Sequence, residues 1–189
     1  MASELPARRS AEAEPGLDEL TLARAQRGDR GAFRRLVEGH QGQVQALLFR
    51  MLVGRRGEVE DLTQETFLRV HQALPGFDPA GSAKLSTWIL TIATRLAIDL
   101  LRRPPPTLPE PTLGAPDPES EVAGRALERR LLRAMAELPD DARAVLILRA
   151  YHDLDYPEIA AALNLELGTV KSRLSRARAA LQQVLERER

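Results

Sequence analysis

The chain has 189 residues and carries 27 basic and 27 acidic side chains, so its formal net charge is zero. It contains no cysteine, which excludes disulfides and thiolate metal sites, and its three histidines share no metal-ligand spacing. No apolar run approaches the roughly 20 residues that a membrane span needs, and the N-terminal segment lacks the apolar core of a signal peptide. We therefore expect a cytoplasmic protein without a metal or cofactor.

Helical spacing of apolar residues recurs along the chain, whereas alternating β-branched runs are absent. The sequence thus predicts an all-α protein. Seven of the thirteen prolines lie between Pro104 and Pro118, and because proline lacks an amide donor and blocks helix formation, this stretch predicts a linker. We expect a disordered tail at residues 1–16 and two small helical domains at residues 17–103 and 125–187. A flexible, acidic, proline-rich linker, residues 104–124, is expected between the two domains.

The helices of the first domain are predicted from their end signals. The segment "LDELTLARAQRG" ends at Gly28, a residue type that favours helix C-termini, and Asp29 is suited to cap the next helix. A third helix, "GEVEDLTQETFLRVHQAL", stops at Pro75. After the loop "FDPAGSAKL" we expect Ser86 to cap a long fourth helix, whose predicted core stripe is Ile89, Ile92, Ala93, Leu96 and Leu100.

The third predicted helix has two distinct sides. Its expected inward stripe consists of Val59, Leu62, Thr66, Val70 and Leu74. Another side, the Leu68 face, consists of Asp61, Gln64, Glu65, Leu68 and Gln72. A leucine framed by acids and amides is typical of a surface that docks a partner helix carrying arginines. The alternative is a solvated surface with one exposed leucine, which is common in proteins.

The fourth predicted helix carries the only tryptophan, Trp88, on the side that also bears Arg95, Asp99 and Arg102. An aromatic ring beside arginines is suited to stack on unpaired bases and to hold their backbone. On composition alone, a core role for a single tryptophan explains it equally well. We predict a surface for opened DNA strands, the Trp88 face, formed by Lys84, Ser86, Thr87, Trp88, Thr91, Arg95, Asp99, Arg102 and Arg103.

The second domain ends in two helices that a short turn separates. Asp155 and Glu158 have the spacing of a capping box, and Pro157 fits the first turn of the helix that they begin. The second of the two helices has a predicted buried stripe at Val170, Leu174, Ala177 and Leu181. This pattern predicts a helix-turn-helix.

The acid-free segment "GTVKSRLSRARAAL" supplies the second helix of that motif. Thr169, Ser172, Arg173 and Arg176 recur on one side, and such short polar and cationic side chains fit the major groove of DNA. The flanking basic residues are placed for phosphates, although a solvated amphipathic helix is the alternative. The predicted DNA-reading surface, the recognition face, comprises Thr169, Lys171, Ser172, Arg173, Ser175, Arg176 and Arg178.

Three segments, in this order, closely resemble bacterial extracytoplasmic-function (ECF) sigma factors of the sigma-70 superfamily: "EDLTQETFLRV", "KLSTWILTIATRLAIDLLRR" and "LPDDARAVLILRAYHDLDYPEIAAALNLELGTVKSRLSRARAAL". The resemblance covers roughly residues 17–103 and 125–185. It implies that the Leu68 face docks on the clamp helices of the largest RNA polymerase subunit. It places the Trp88 face on the minus-ten element, the loop "GFDPAGSA" on a flipped-out base, and the recognition face on the minus-thirty-five element. Many relatives have asparagine where this chain has Arg95.

The resemblance also implies partners: core RNA polymerase, promoter DNA, and an anti-sigma factor, often membrane-bound, that holds such proteins inactive. In the family the linker threads basic channels of the polymerase toward the RNA exit path. The carboxylates of Glu110, Asp117, Glu119 and Glu121 could mimic nucleic acid there, and a solubilising tether explains them equally well.

Two other functions compete with that of a promoter-specificity subunit without chemistry of its own. An autonomous regulator would need a sensory first domain, yet the sequence shows no nameable ligand pocket there. A DNA-processing enzyme would need a metal-binding carboxylate cluster or a nucleophile, and Asp61 and Glu65 lie one turn apart without a further partner. The leading hypothesis is therefore an alternative sigma factor that is not an enzyme.

Overall fold

The structure is a computed structural model that describes residues 18–81, 83–104 and 123–187. Within these ranges there is no strand, which confirms the predicted all-α class. The helices are α1 (Glu19–Gln26), α2 (Arg30–Met51), α3 (Val59–Ala73), α4 (Leu85–Leu101), α5 (Ala123–Ala136), α6 (Asp140–Tyr151), α7 (Tyr156–Leu163) and α8 (Leu167–Arg187). The predicted tail and most of the predicted linker, including its four carboxylates, lie outside the described residues, and α5 begins at Ala123, within the range predicted as linker.

The junction between α1 and α2 has the predicted geometry. Gly28 follows the end of α1 with a φ of +88°, a left-handed conformation that glycine adopts without steric cost. The Asp29 carboxylate then accepts a hydrogen bond of 3.0 Å from the amide of Ala32, and this bond lowers the pKa of Asp29. A helix break and a helix start are therefore encoded in two consecutive residues.

The predicted N-cap of α4 is wrong by two residues. The helix begins at Leu85, Lys84 occupies the N-cap position without a side-chain capping bond, and Ser86 lies inside the first turn. Leu85 is only 6% exposed, so starting the helix there places one more leucine in the core. Its burial stabilises the helix start in place of a serine cap, whose contribution is typically about 1 kcal/mol.

The predicted core stripe of α4 is also only partly correct. Ile89 and Ala93 are buried, whereas three members of the stripe are only half-buried: Ile92, Leu96 and Leu100. Several further residues of the helix are buried that were not predicted: Leu85, Thr87, Leu90, Thr94, Ala97 and Ile98. The reason is that α4 packs against α2, α3, α6 and α7, so more than one stripe is covered.

The inward side of α3 faces α2 and α4. Thr66, Val70 and Leu74 are buried as predicted, whereas Val59 and Leu62 at the start of the helix are half-buried. Phe67 and Thr63 are buried in addition, and the Thr63 and Thr66 hydroxyls each donate 2.7 Å bonds to the carbonyl four residues earlier. Those bonds satisfy the hydroxyls, so threonine can occupy core positions in this helix.

The C-terminal helices follow the sequence closely. The Asp155 carboxylate accepts from the Glu158 amide at 2.8 Å, and the Glu158 carboxylate accepts from the Asp155 amide at 2.7 Å, which completes the predicted capping box. Helix α7 ends at Asn164 in the left-handed conformation, which turns the chain into α8. The predicted stripe of α8 is buried throughout: Val170, Leu174, Ala177 and Leu181.

The two halves of the chain pack against each other, α2 and α4 against α6 and α7. A buried arginine of α6, Arg143, is central to this contact, with only 6% of its surface exposed. Its guanidinium donates to the carbonyl of Met51 at the end of α2 at 2.6 Å, and to those of Met135 and Leu138 at 2.9 and 3.0 Å. Helix C-termini leave carbonyls unsatisfied, and one arginine here satisfies such groups from both halves.

Candidate functional site

The recognition face lies on α8, and the capped helix α7 with its left-handed turn fixes the orientation of α8. Four of its polar and basic side chains are exposed along the helix: Lys171, Ser172, Ser175 and Arg176. Arg176 bonds to the Ser172 carbonyl at 3.3 Å, so its charged end lies along the helix and stays accessible. Helix α8 thus presents short polar and cationic groups in the form that major-groove recognition requires.

Arg173 and Thr169 differ from these residues, because both are half-buried. The Arg173 side chain is 25% exposed, and its Nη1 lies 3.1 Å from Oδ2 of Asp141 in the first turn of α6. Arg178 is exposed on another side of α8, where it lines a cavity with Met135, Tyr151 and other residues of α5 and α6. The recognition face is therefore divided into an accessible part, a part turned toward α6, and Arg178 at its edge.

The Trp88 face lies on α4, and Trp88 itself is half-buried. Its ring packs against Phe77 with 5.0 Å between ring centroids, so it covers the edge of the core with one side. Thr87 is buried, and Ser86 and Thr91 are half-buried, whereas the charged members of the face are exposed: Lys84, Arg95, Asp99, Arg102 and Arg103. The sequence did not indicate Phe77 as the partner of the tryptophan, because eleven residues separate them.

Two arginines of the Trp88 face contact the second half of the chain. Arg95 donates through Nε to the carbonyl of Ala162 in α7 at 2.9 Å. Arg102 follows the last residue of α4, and its Nη1 lies 3.9 Å from Oδ1 of Asp99, while its Nη2 lies 3.9 Å from Oδ1 of Asp141 in α6. The structure thus brings the Trp88 face and the recognition face together, an arrangement that neither predicted helix indicates by itself.

The end of α4 is held by Arg55. This arginine donates to the carbonyls of Leu100 at 2.9 Å and Arg103 at 3.2 Å, and its Nε pairs with Glu58 at 2.7 Å. The bonds satisfy carbonyls at the C-terminus of α4, where the helix dipole favours a positive charge. Arg55 is a positioning residue that no pattern in the sequence indicated.

The Leu68 face is exposed along α3. Leu68 has 58% of its surface exposed, Asp61, Gln64 and Gln72 are exposed, and Glu65 is half-buried. Arg69 is not among the residues predicted for this face, and its Nε lies 2.7 Å from Oε1 of Glu65. An apolar side chain with acids and amides around it is thus accessible on a helix whose other side is packed in the core.

Among the described residues, no cluster of histidine, aspartate and glutamate has the arrangement of a metal site. Within the same ranges, no helix is long and apolar enough to cross a membrane.

Two residues that were not predicted from the sequence, Asp141 and Arg143, take part in the contacts between helices and lie in "DDARAVLIL". The arginine inside that apolar run was a usable signal of a buried, hydrogen-bonded cation.

An all-α chain with a helix-turn-helix and a second cationic helix face belongs to the class of helical DNA-binding transcription factors. Comparison with known proteins narrows the class. Residues 36–104 match Sigma-70 region 2, and residues 128–181 match Sigma-70, region 4.

Two relatives show the family. The chain is 32% identical over 179 residues to the ECF RNA polymerase sigma factor SigW of Bacillus subtilis, an alignment that covers 87% of this chain and 94% of the relative. It is 34% identical over 179 residues to the ECF RNA polymerase sigma-E factor of Escherichia coli, and this alignment covers 87% of this chain and 92% of the relative. The chain belongs to the ECF RNA polymerase sigma factors: it is an alternative sigma factor, which acts in promoter recognition and transcription initiation.

Solved structures agree in fold. CnrH, in complex with the cytosolic domain of CnrY, is 28% identical with a TM-score of 0.67, covering 90% of this chain and 97% of that one. RpoE of Bartonella quintana, in complex with the anti-sigma factor NepR, is 21% identical with a TM-score of 0.62, and the match covers 83% of this chain and 98% of that one.

Proposed function

We propose that this sigma factor acts without chemistry of its own, in the cytoplasm, and that three helix faces divide its work. The Leu68 face on α3 docks on core RNA polymerase. The Trp88 face on α4 contacts the minus-ten element and its opened strands, and the recognition face on α8 contacts the minus-thirty-five element. Residues 17–103 and 125–187 act as the two domains that carry these faces.

The observation that carries the proposal is the exposure of the Leu68 face. Leu68 is 58% exposed on the side of α3 that also carries Asp61 and Glu65, while Thr66, Phe67 and Val70 on the same helix are buried. A buried side and an apolar exposed side on one helix are typical of a helix that binds a second partner. The DNA-facing arginines lie on other helices, so one molecule has room for polymerase and promoter together.

We further propose that an anti-sigma factor binds this chain. The family resemblance supports this partner, and the structural relative CnrH was solved in complex with another protein, the cytosolic domain of CnrY.

Run-off transcription tests the proposal. Purified core polymerase is given a library of genomic promoters with and without the chain, and transcripts that start at defined positions should appear only with the chain present. Nanomolar binding of one operator by the free chain, unaffected by polymerase and without new transcripts, would support an autonomous regulator instead.

A further inference from the structure

The junction of α1 and α2 carries a concentration of positive charge that none of the three proposed faces includes. The segment "RAQRGDRGAFRR", residues 24–35, contains five arginines and a single acid, Asp29, in a chain whose net charge is zero. Arg24 is paired with that acid, with 2.6 Å between its Nη2 and Oδ2 of the carboxylate. Three further arginines are exposed and form what we call the basic cluster: Arg27, Arg30 and Arg34.

The fold itself gives these charges little to interact with. Among the residues that the structure describes, no carboxylate forms an ion pair with the basic cluster. Arg30 is the first residue of α2, where the helix dipole disfavours a cation, and the first turn contains no acid to balance it. Arg34 follows four residues later, and like charges at this spacing on a helix repel each other. Charges that reduce helix stability and meet no acid are suited to an anionic partner.

The basic cluster lies beside the loop that carries Phe77. The side chain of Gln26, the last residue of α1, donates to the Phe77 carbonyl at 2.7 Å. Phe33, near the start of α2, packs edge-on against His71 near the end of α3, with 4.8 Å between ring centroids. The Phe77 ring in turn packs against Trp88. These contacts, all within the first half of the chain, hold the junction of α1 and α2 next to the Trp88 face.

The composition of the junction favours nucleic acid over protein as the anionic partner. The exposed large apolar side chains of the described residues include none between residues 24 and 35. The junction therefore lacks the apolar centre that is typical of a protein-binding surface. Exposed arginines without apolar neighbours instead suit a phosphate backbone, because a guanidinium can donate two parallel hydrogen bonds to phosphate oxygens.

We propose that the basic cluster binds phosphates of the opened DNA strand where this strand leaves the Trp88 face. The proposal rests on the function proposed above, since it takes the Trp88 face as the site of the opened strand. Surfaces that bind single strands combine an aromatic platform for the bases with neighbouring cations that follow the backbone. Contacts to phosphates position the strand and add affinity, but they do not read its sequence.

The test compares two double variants of the full-length chain in complex with core polymerase. Arg30→Gln with Arg34→Gln neutralises two members of the basic cluster. Arg35→Gln with Arg133→Gln makes the same charge change at other exposed positions, and Arg35 points to a different side of α2 from Arg34. Each complex is titrated with a forked DNA whose single strand extends about six nucleotides beyond the minus-ten element, within the usual range for strand-binding surfaces.

Affinity is measured by fluorescence anisotropy over a series of salt concentrations. The Arg30→Gln, Arg34→Gln variant should reduce the slope of log affinity against log salt concentration by about 1.4, because each phosphate contact on a single strand contributes about 0.7. The Arg35→Gln, Arg133→Gln control should keep the wild-type slope. If both variants keep the wild-type slope, or both reduce it equally, the basic cluster does not bind the strand and the proposal is overturned.

A second DNA, whose single strand ends at the minus-ten element, locates the contact. On this DNA the basic-cluster variant and the wild type should have equal slopes, because the phosphates in question are missing. A difference that persists would place the cluster elsewhere on the promoter, and loss of co-purification with core polymerase would assign it to the polymerase; either result overturns the proposal. Failure of the wild-type complex to bind either DNA would instead overturn the proposed function.

Discussion

Arg173 and Arg176 lie almost one turn apart on α8, but their surroundings differ. Arg176 is exposed, whereas Arg173 is paired with Asp141. Their spacing in the sequence predicted equal access to DNA, because helical periodicity specifies a side of the helix and not what covers it. The difference arises from α6, a helix that lies about thirty residues earlier in the chain.

Arg176→Ala should weaken recognition of the minus-thirty-five element by about 1–3 kcal/mol when the chain is bound to core polymerase, because an arginine that reads a base edge contributes that much. Lys171→Ala, which would remove a proposed phosphate contact, should weaken binding by a similar factor on all sequences. Competition binding of the polymerase complex against promoter variants measures both effects. If Arg176→Ala leaves the preference at every upstream base unchanged, Arg176 does not read the groove.

The surroundings of Trp88 are compatible with two roles. The sequence left a core role and a base-stacking role equally open. The structure places one side of the ring against Phe77, 5.0 Å between centroids, and leaves the residue half-exposed on a helix with arginines. A tryptophan at the edge of a core can stack on a base with its remaining surface, since the indole ring has two faces.

At the scale of helices, α3 provides the most direct test of polymerase docking. Asp61→Arg combined with Glu65→Arg sets positive charges against a basic partner, and like charges at an interface can cost several kcal/mol. The double variant should remain folded by circular dichroism and should no longer co-purify with core polymerase. A matched control, Glu19→Arg with Glu38→Arg, makes the same charge change at exposed positions of α1 and α2 and should co-purify normally.

Polymerase binding by a folded Asp61→Arg, Glu65→Arg variant would remove the Leu68 face from the proposed function. Failure of both double variants to bind would show that net charge, and not this face, governs association. Because Glu65 pairs with Arg69, the stability of the test variant is measured alongside, and its expected change is small for an exposed pair.

At the scale of the whole molecule, the two halves meet at a cavity that His152 lines. Burial, and secondly the nearby charge of Arg50, lower the pKa of His152 to about 4, while Asp153 acts in the opposite direction. Its Nε2 has no hydrogen-bond partner among the described residues. Lys84 and Glu158 also line this cavity, so His152 lies among charges from both halves.

The free energy of unfolding should therefore depend on pH through His152. The unfolded chain binds a proton near pH 6.5 and the folded chain only near pH 4, so stability falls as the pH decreases between these values. Between pH 7 and pH 5, the thermal midpoint of the wild type should decrease more than that of His152→Gln, by on the order of 2–5 °C. His71→Gln, at an exposed position of α3, should behave as the wild type. Identical pH profiles for His152→Gln and the wild type would contradict the assignment.

The sequence by itself determined the local structure of this protein. The Gly28–Asp29 junction, the capping box at Asp155 and Glu158, and the buried stripe of α8 depend on residues within one or two helical turns. Such interactions are complete within a short segment, so a pattern in that segment predicts them. The all-α class follows from the same periodicity.

Only the tertiary structure decided what each helix face meets. Contacts between different segments of the chain create four features that no single helix pattern predicts. They are the wide buried surface of α4, the Phe77 partner of Trp88, the carbonyls around Arg143 and the Asp141 carboxylate between Arg102 and Arg173. A helical pattern states which side chains share a face, but the partner of that face depends on how whole helices pack. For this sigma factor, the sequence specifies the DNA-reading residues that we propose, and the packing of its two halves decides which of them are accessible.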